Sequence, residues 1–372
     1  MDFEFSADQA TLRDSLRLLL ATEYTLERRQ AFLTMRHGSS PEIWRLLAHQ
    51  GVFSLGLPEK AGGYGGCREI MLVMEELGRR LVLEPFLSTV VLGGSLICDQ
   101  GTVAQRAHLL PKIATGELRT ALAHHEAGAR YVLDHLSTSA RRGKGSYVIT
   151  GSKAIVLDAP VADMLIVSAR DESAGGVSLF MVAPNAPGVR TTPYRTPDGR
   201  SAADLALENV RVPTAARLGP PSVALAALEQ AVDCAMAARC AEAIGIVDAL
   251  IELTLQTLNT RKPIGAQIGR FQQMFLTAIQ AKSMSYLASG HCRDRDRSER
   301  RRVLAAAKTS VGKAARFVGQ QALQLHSGLG KPVELTVNHY FQRLMMIDAT
   351  FGDLDHYFGA FGEQADWPIK NC

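Results

Sequence analysis

The chain has 372 residues, with 41 Lys and Arg against 37 Asp and Glu, a formal net charge of +4, 47% hydrophobic and 21% charged residues. At ~150 residues per domain this is more than one domain, and the mixture is that of a folded globular protein, which excludes disordered and fibrous classes. So small a basic excess gives no reason to expect nucleic acid or an anionic membrane as partner.

The six cysteines, 67, 98, 234, 240, 292 and 372, form no C-x-x-C pair. They read as reduced thiols of a cytoplasmic protein, with no metal site expected. The acidic start MDFEFSADQ lacks an apolar signal core. The most apolar stretch, 87–98, is well short of the ~20 residues a membrane helix needs, so no membrane insertion is expected.

Residues 1–117 read as helices. Ser6 and Gln9 form a capping box before the face Leu12, Leu16, Leu19 and Leu20. Ser40-Pro41-Glu42 starts a second helix that Gly51 ends, and 68–81, 86–100 and 103–115 follow, closed by Gly101 and Gly116. The loop Gly62-Gly63-Tyr64-Gly65-Gly66 has no strand before it and is not a dinucleotide fingerprint.

Over 118–215 the period changes. Short strands are predicted at 120–124, 137–141, 147–150, 154–158, 164–169, 178–183 and 204–207, separated by glycine turns. This suggests an antiparallel barrel or sandwich, and no helices alternate with the strands as a βαβ fold requires. Over 216–372 long helices return at 223–259, 267–290, 299–326 and 333–361, an antiparallel four-helix bundle. The predicted class is mainly α with a central β domain.

Three clusters carry less than they suggest. His124 and His125 are adjacent on a strand and point to opposite faces. On a helix, only Asp353 and His356 of Asp353-Leu354-Asp355-His356 converge, too few for a metal. The arginine-rich run 292–302 is interleaved with Asp, Ser and Glu and reads as a solvated loop.

An ordered set of motifs spans all three parts: Gly56-Leu57-Pro58-Glu59 before the glycine loop; Glu75-Glu76-Leu77-Gly78; Leu110-Pro111-Lys112-Ile113; Gly151-Ser152-Lys153; Ala162-Asp163; Asn209-Val210-Arg211-Val212-Pro213; Arg261-Lys262-Pro263-Ile264-Gly265; Phe271-Gln272; and Gln324-Leu325-His326-Ser327-Gly328-Leu329-Gly330. Together they resemble the acyl-CoA dehydrogenase family of flavoproteins. The nearest likeness is to the small-subunit branch of the pimeloyl-CoA dehydrogenase type, which acts on dicarboxylyl-CoA thioesters.

The resemblance implies FAD as cofactor, α,β-dehydrogenation of an acyl-CoA in fatty acid β-oxidation, and electron-transfer flavoprotein as acceptor. It also implies which residues meet the cofactor. Arg261, Gln324 and Gly328 match a set that grips the dinucleotide of a neighbouring subunit, with Ile264 in place of a phenylalanine and Phe271-Gln272 following. In the β domain, His125-Glu126-Ala127 stands where the family has Thr-Glu-Pro. Ile155-Val156-Leu157 replaces an aromatic-Ile-Thr segment over the flavin ring, so Leu157 supplies no side-chain donor.

The family's commonest base, a Glu before Gly, falls on Phe351 before Gly352, which cannot take a proton. A second family location falls on Ala235, near Asp233 and Glu229. Candidate bases are therefore Asp233, Asp348 and Asp353, each with a cap or salt bridge as the alternative role. Three readings follow: the small subunit of an α2β2 dehydrogenase that completes a large subunit's flavin site; a homomeric, tetrameric dehydrogenase with an Asp base; and a non-catalytic CoA-ester-binding or assembly protein.

Overall fold

A computed structural model describes residues 4–35, 38–173, 175–260, 265–327 and 331–364. The chain divides into two compact units: one of 1–29, 67–82 and 236–372, the other of 30–66 and 83–235. The elements in order are α1 (Ala7–Glu23), α2 (Leu26–Thr34), α3 (Pro41–His49), α4 (Cys67–Arg79), α5 (Ser95–Gln100), α6 (Val103–Ala114), β1 (Thr120–Ala123), β2 (Ser139–Arg142), β3 (Ser146–Leu157), β4 (Met164–Asp171), β5 (Val177–Val182), β6 (Val189–Arg195), β7 (Ser201–Pro213), β8 (Arg217–Leu218), α7 (Leu225–Thr260), α8 (Gly265–His291), α9 (Arg297–His326), α10 (Lys331–Ala349) and α11 (Leu354–Gln364).

In the second unit the strands form one sheet in the order β6-β7-β3-β2-β4-β5-β8, with β1 also on β4. Most pairings are antiparallel; β1 and β2 run parallel to β4. Its buried side includes Tyr147, Ile149, Val167, Phe180, Leu205 and Val210. The two strands predicted at 147–150 and 154–158 are one strand, β3. Gly151 does not turn the chain: a Cβ there would stand 2.6 Å from the Cα of Thr138, so glycine permits a close approach instead. The helix predicted over 86–100 begins as a π-helix, Leu87–Gly94, entirely buried, and continues as α5. Gly93 lets it lie on β1, since a Cβ there would meet Thr120 Oγ1 at 1.9 Å. Trp44 of α3 anchors α6 by donating from Nε1 to the carbonyl of Gly116 at 2.8 Å.

In the first unit, α1 starts with the predicted capping box. The bundle core includes Val247, Leu250, Met274, Val311, Val318 and Leu344. Helices α4 and α7 cross at two glycines: a Cβ on Gly245 would stand 1.9 Å from the carbonyl oxygen of Glu75, and one on Gly78 would stand 2.2 Å from that of Glu242. The helix predicted over 333–361 is two helices, α10 and α11. They separate where Phe351 (φ 60°) and Gly352 (φ 117°) leave helical geometry. Cys67, Cys98, Cys234, Cys240 and Cys292 are thiols outside any disulfide. No helix of the described residues is long and apolar enough to cross a membrane.

Candidate cofactor-binding and proton-transfer residues

In the sheet unit a sealed polar cluster underlies the predicted ring-covering segment. Lys153, fully buried, donates to Glu126 Oε1 at 2.6 Å, to Ser168 Oγ at 3.2 Å and to the carbonyl of His124 at 3.3 Å. Glu126 also accepts the backbone N–H of Ser137 at 2.6 Å and of Thr138 at 3.1 Å, so it closes the loop 126–138. Burial works to raise the Glu126 carboxyl, but Lys153 and these donors hold it at about 2. Burial brings Lys153 down to about 8 against the pull of Glu126. His124, whose Nδ1 lies 2.9 Å from Ser168 Oγ, is pushed down to about 3 by burial and by Lys153, and is neutral. A serine, a lysine and a histidine in contact suggest nucleophile chemistry, but Ser168 and Lys153 are buried from any substrate. Their role is to pin β1, β3 and β4 together. No local pattern announces this pairing, which exists only once β3 lies beside that loop.

His125, half-buried, accepts the N–H of Ala154 at 2.8 Å through its carbonyl. Next to it β3 bulges between Lys153 and Val156. Ile155 takes φ 51°, a left-handed conformation that a β-branched residue rarely adopts, and its side chain is 50% exposed. Its N–H donates to Asp204 Oδ1 at 2.9 Å, the oxygen that also accepts Tyr194 Oη–H at 3.0 Å. Val156 is buried and Leu157 half-buried. The segment thus exposes an apolar side chain at Ile155 and carries no side-chain donor at Leu157. Asp204 and Tyr194 were not anticipated; an acid and a tyrosine in alternating strands carry no distinctive pattern.

In the bundle unit, Arg261, Ile264 and Gly328 lie outside the described residues. Gln324 is exposed on α9 and accepts from Arg270 Nη1 of α8 at 3.3 Å. Phe271 packs against the bundle core, and Gln272 is exposed. An exposed guanidinium beside an exposed amide is a donor set that suits a diphosphate.

Each candidate base is engaged or enclosed. Asp348 is buried, and its Oδ2 accepts from Arg316 Nη2 at 2.6 Å and Nε at 3.0 Å. Its Oδ1 has no hydrogen-bond partner and faces a small cavity lined by Cys240, Lys308 and Gly312. Asp353 starts α11, accepting the N–H of His356 at 2.8 Å. Asp233 and Glu229 are both buried on α7. At the matched base position stands Phe351, half-buried, in a turn held by two side chains. Lys308 Nζ donates to the carbonyls of Ile347 at 2.7 Å and Thr350 at 3.1 Å, and Tyr357 Oη donates to that of Phe351 at 2.6 Å.

Comparison with known proteins gives a consistent result. Family models described as acyl-CoA dehydrogenase N-terminal, middle and C-terminal domains match residues 6–117, 121–210 and 225–353. The chain is similar to acyl-CoA dehydrogenase FadE12 of Mycobacterium tuberculosis, 30% identical over 283 residues that cover 71% of each protein. It is 27% identical to mitochondrial isovaleryl-CoA dehydrogenase of Pongo abelii over 280 residues, 72% of this chain and 66% of that one. Among solved structures, a variant of the Tcur3481-Tcur3483 steroid ACAD superposes with a TM-score of 0.85 at 26% identity, covering 96% of this chain and 97% of the other.

Proposed function

The chain belongs to the acyl-CoA dehydrogenase family, and from that premise we propose that it is one subunit of an FAD-dependent acyl-CoA dehydrogenase whose catalytic base is carried by a different chain. The reaction removes the α-proton of an acyl-CoA to a carboxylate. FAD, when bound, supplies the acceptor for the β-hydrogen. This chain's part is to grip and cover. Arg261, Gln324 and Gly328 take the dinucleotide of the neighbour, a role that the exposed amide of Gln324 beside Arg270 supports. Ile155 gives apolar cover without a side-chain donor beside it.

One observation carries the division of labour. The turn matched to the base presents a phenylalanine, is clamped by Lys308 and Tyr357, and has its flanking carboxylates in a salt bridge and a helix cap. The similar Tcur3481-Tcur3483 steroid ACAD bears two chain names, in line with a two-chain enzyme. A dicarboxylyl-CoA substrate, electron-transfer flavoprotein as acceptor and a cytoplasmic location complete the reading.

Expressed alone, the chain should retain little FAD; with its partner, about two FAD per four chains in a closed tetramer. An active, FAD-loaded homotetramer overturns the proposal. The second reading, a homomeric enzyme, draws on the unpartnered Oδ1 of Asp348. Asp348→Asn in the purified chain tests it: turnover abolished with the fold retained would favour Asp348 as base.

A further inference from the structure

We infer that Arg270 is an additional contact for the cofactor's diphosphate, acting as a pair with Gln324. The inference rests on the grip proposed above and extends it to a residue that no motif contains.

The argument starts from the contact between the two side chains. A guanidinium only donates, so the Gln324 amide must turn its oxygen to Arg270 and its NH2 away. Once that hydrogen bond is made, the pair still offers the remaining guanidinium N–H groups and both amide hydrogens as donors. Two exposed side chains from adjacent helices that together present one positive charge and several donors suit an anion.

The partner of Arg270 also differs from that of several other arginines of its unit. Arg17, Arg302 and Arg316 of the same unit each have a carboxylate at 2.5 to 2.8 Å. Arg270 has an amide where those have an acid, and no carboxylate pairs with it among the described residues. An amide orients a guanidinium without neutralising it. The planar fork then remains available to a diphosphate oxygen, with two parallel hydrogen bonds within its reach. In sequence, Gln324 opens the matched segment that ends in Gly328-Leu329-Gly330.

The test measures FAD dissociation from the purified complex by flavin fluorescence, over a range of salt concentrations, for Arg270→Gln, Arg270→Lys, Gln324→Ala, Arg261→Ala and the control Arg302→Gln. Arg270 is exposed, so its variants should fold, which circular dichroism checks. Arg270→Gln should weaken FAD about tenfold, in keeping with the loss of a charge-assisted hydrogen bond, and should flatten the salt dependence. Arg270→Lys should recover part of the affinity, and Arg302→Gln should change nothing. If Arg270→Gln binds FAD like the wild type while Arg261→Ala and Gln324→Ala release it, the inference fails and the grip stands. If all three bind FAD normally, the proposed grip fails with it.

Discussion

Lys308 of α9 places its buried ammonium 2.7 Å from the carbonyl oxygen of Ile347, and so a side chain from one helix finishes the last turn of another. Helix ends leave carbonyls unpaired, and inside a bundle water cannot serve them. Lys308→Met should strand the Thr350 carbonyl, leave that of Ile347 with only the N–H of Thr350, and cost about 2 kcal/mol, read as a lower urea midpoint. Amide exchange at 350–353 should speed up in that variant more than elsewhere. An unchanged midpoint would mean that the turn holds without its clamp.

Glu75 should make stability depend on pH. It is buried, Oε1 has no hydrogen-bond partner, and Lys282 lies 3.8 Å from Oε2. Burial raises its carboxyl from 4.5 to about 7, with Lys282 pulling the other way. The folded state therefore holds this proton more tightly than the unfolded one. The penalty for ionising it is absent below pH 4.5, grows from there to 7, and is complete above 7. Glu75→Gln should stabilise the protein by about 3 kcal/mol at pH 8 and hardly at all at pH 4.5. Melting curves across that range decide it; a gain independent of pH would point to packing instead.

The Lys153–Glu126 pair should behave as a unit. Lys153→Met leaves a buried carboxylate without its cation and should cost about 4 kcal/mol. The double variant Lys153→Met with Glu126→Leu should cost clearly less than the two single losses added together. A double-mutant cycle by chemical denaturation measures the coupling, and additive losses would remove the argument for a shared role.

Ile155→Gly should stabilise the isolated chain by about 1 kcal/mol, because glycine adopts a positive φ without strain. The same change should weaken FAD in the complex if the side chain covers the ring. A chain that loses stability on this substitution would show that Ile155 is held by packing rather than held against its preference.

Legibility followed burial. Helices α7 to α9 could be read from their apolar residues, and the starts of α1 and α3 from Ser6 and from Pro41, because those signals act within one turn. β6 went unseen: none of its residues is fully buried and Pro193 interrupts it, so it carries no clean alternation. The bulge at Ile155 was equally silent, since a left-handed isoleucine is imposed by the partner strand and the Asp204 carboxylate, not by its neighbours in sequence. At the candidate site the matched motifs pointed to Gln324, but nothing marked Arg270. An arginine on a helix face is ordinary until its partner proves to be an amide.

The crossing of α4 and α7 at Gly78 and Gly245 sets a limit on how this protein can vary. At Gly269, where an added Cβ meets nothing within 4 Å, a saturation library should return nearly every amino acid. At Gly245 it should return glycine alone, because even one methyl group would drive the helices apart. No sequence of single tolerated steps leads away from such a contact. A bundle with a side chain there must hold the two helices farther apart.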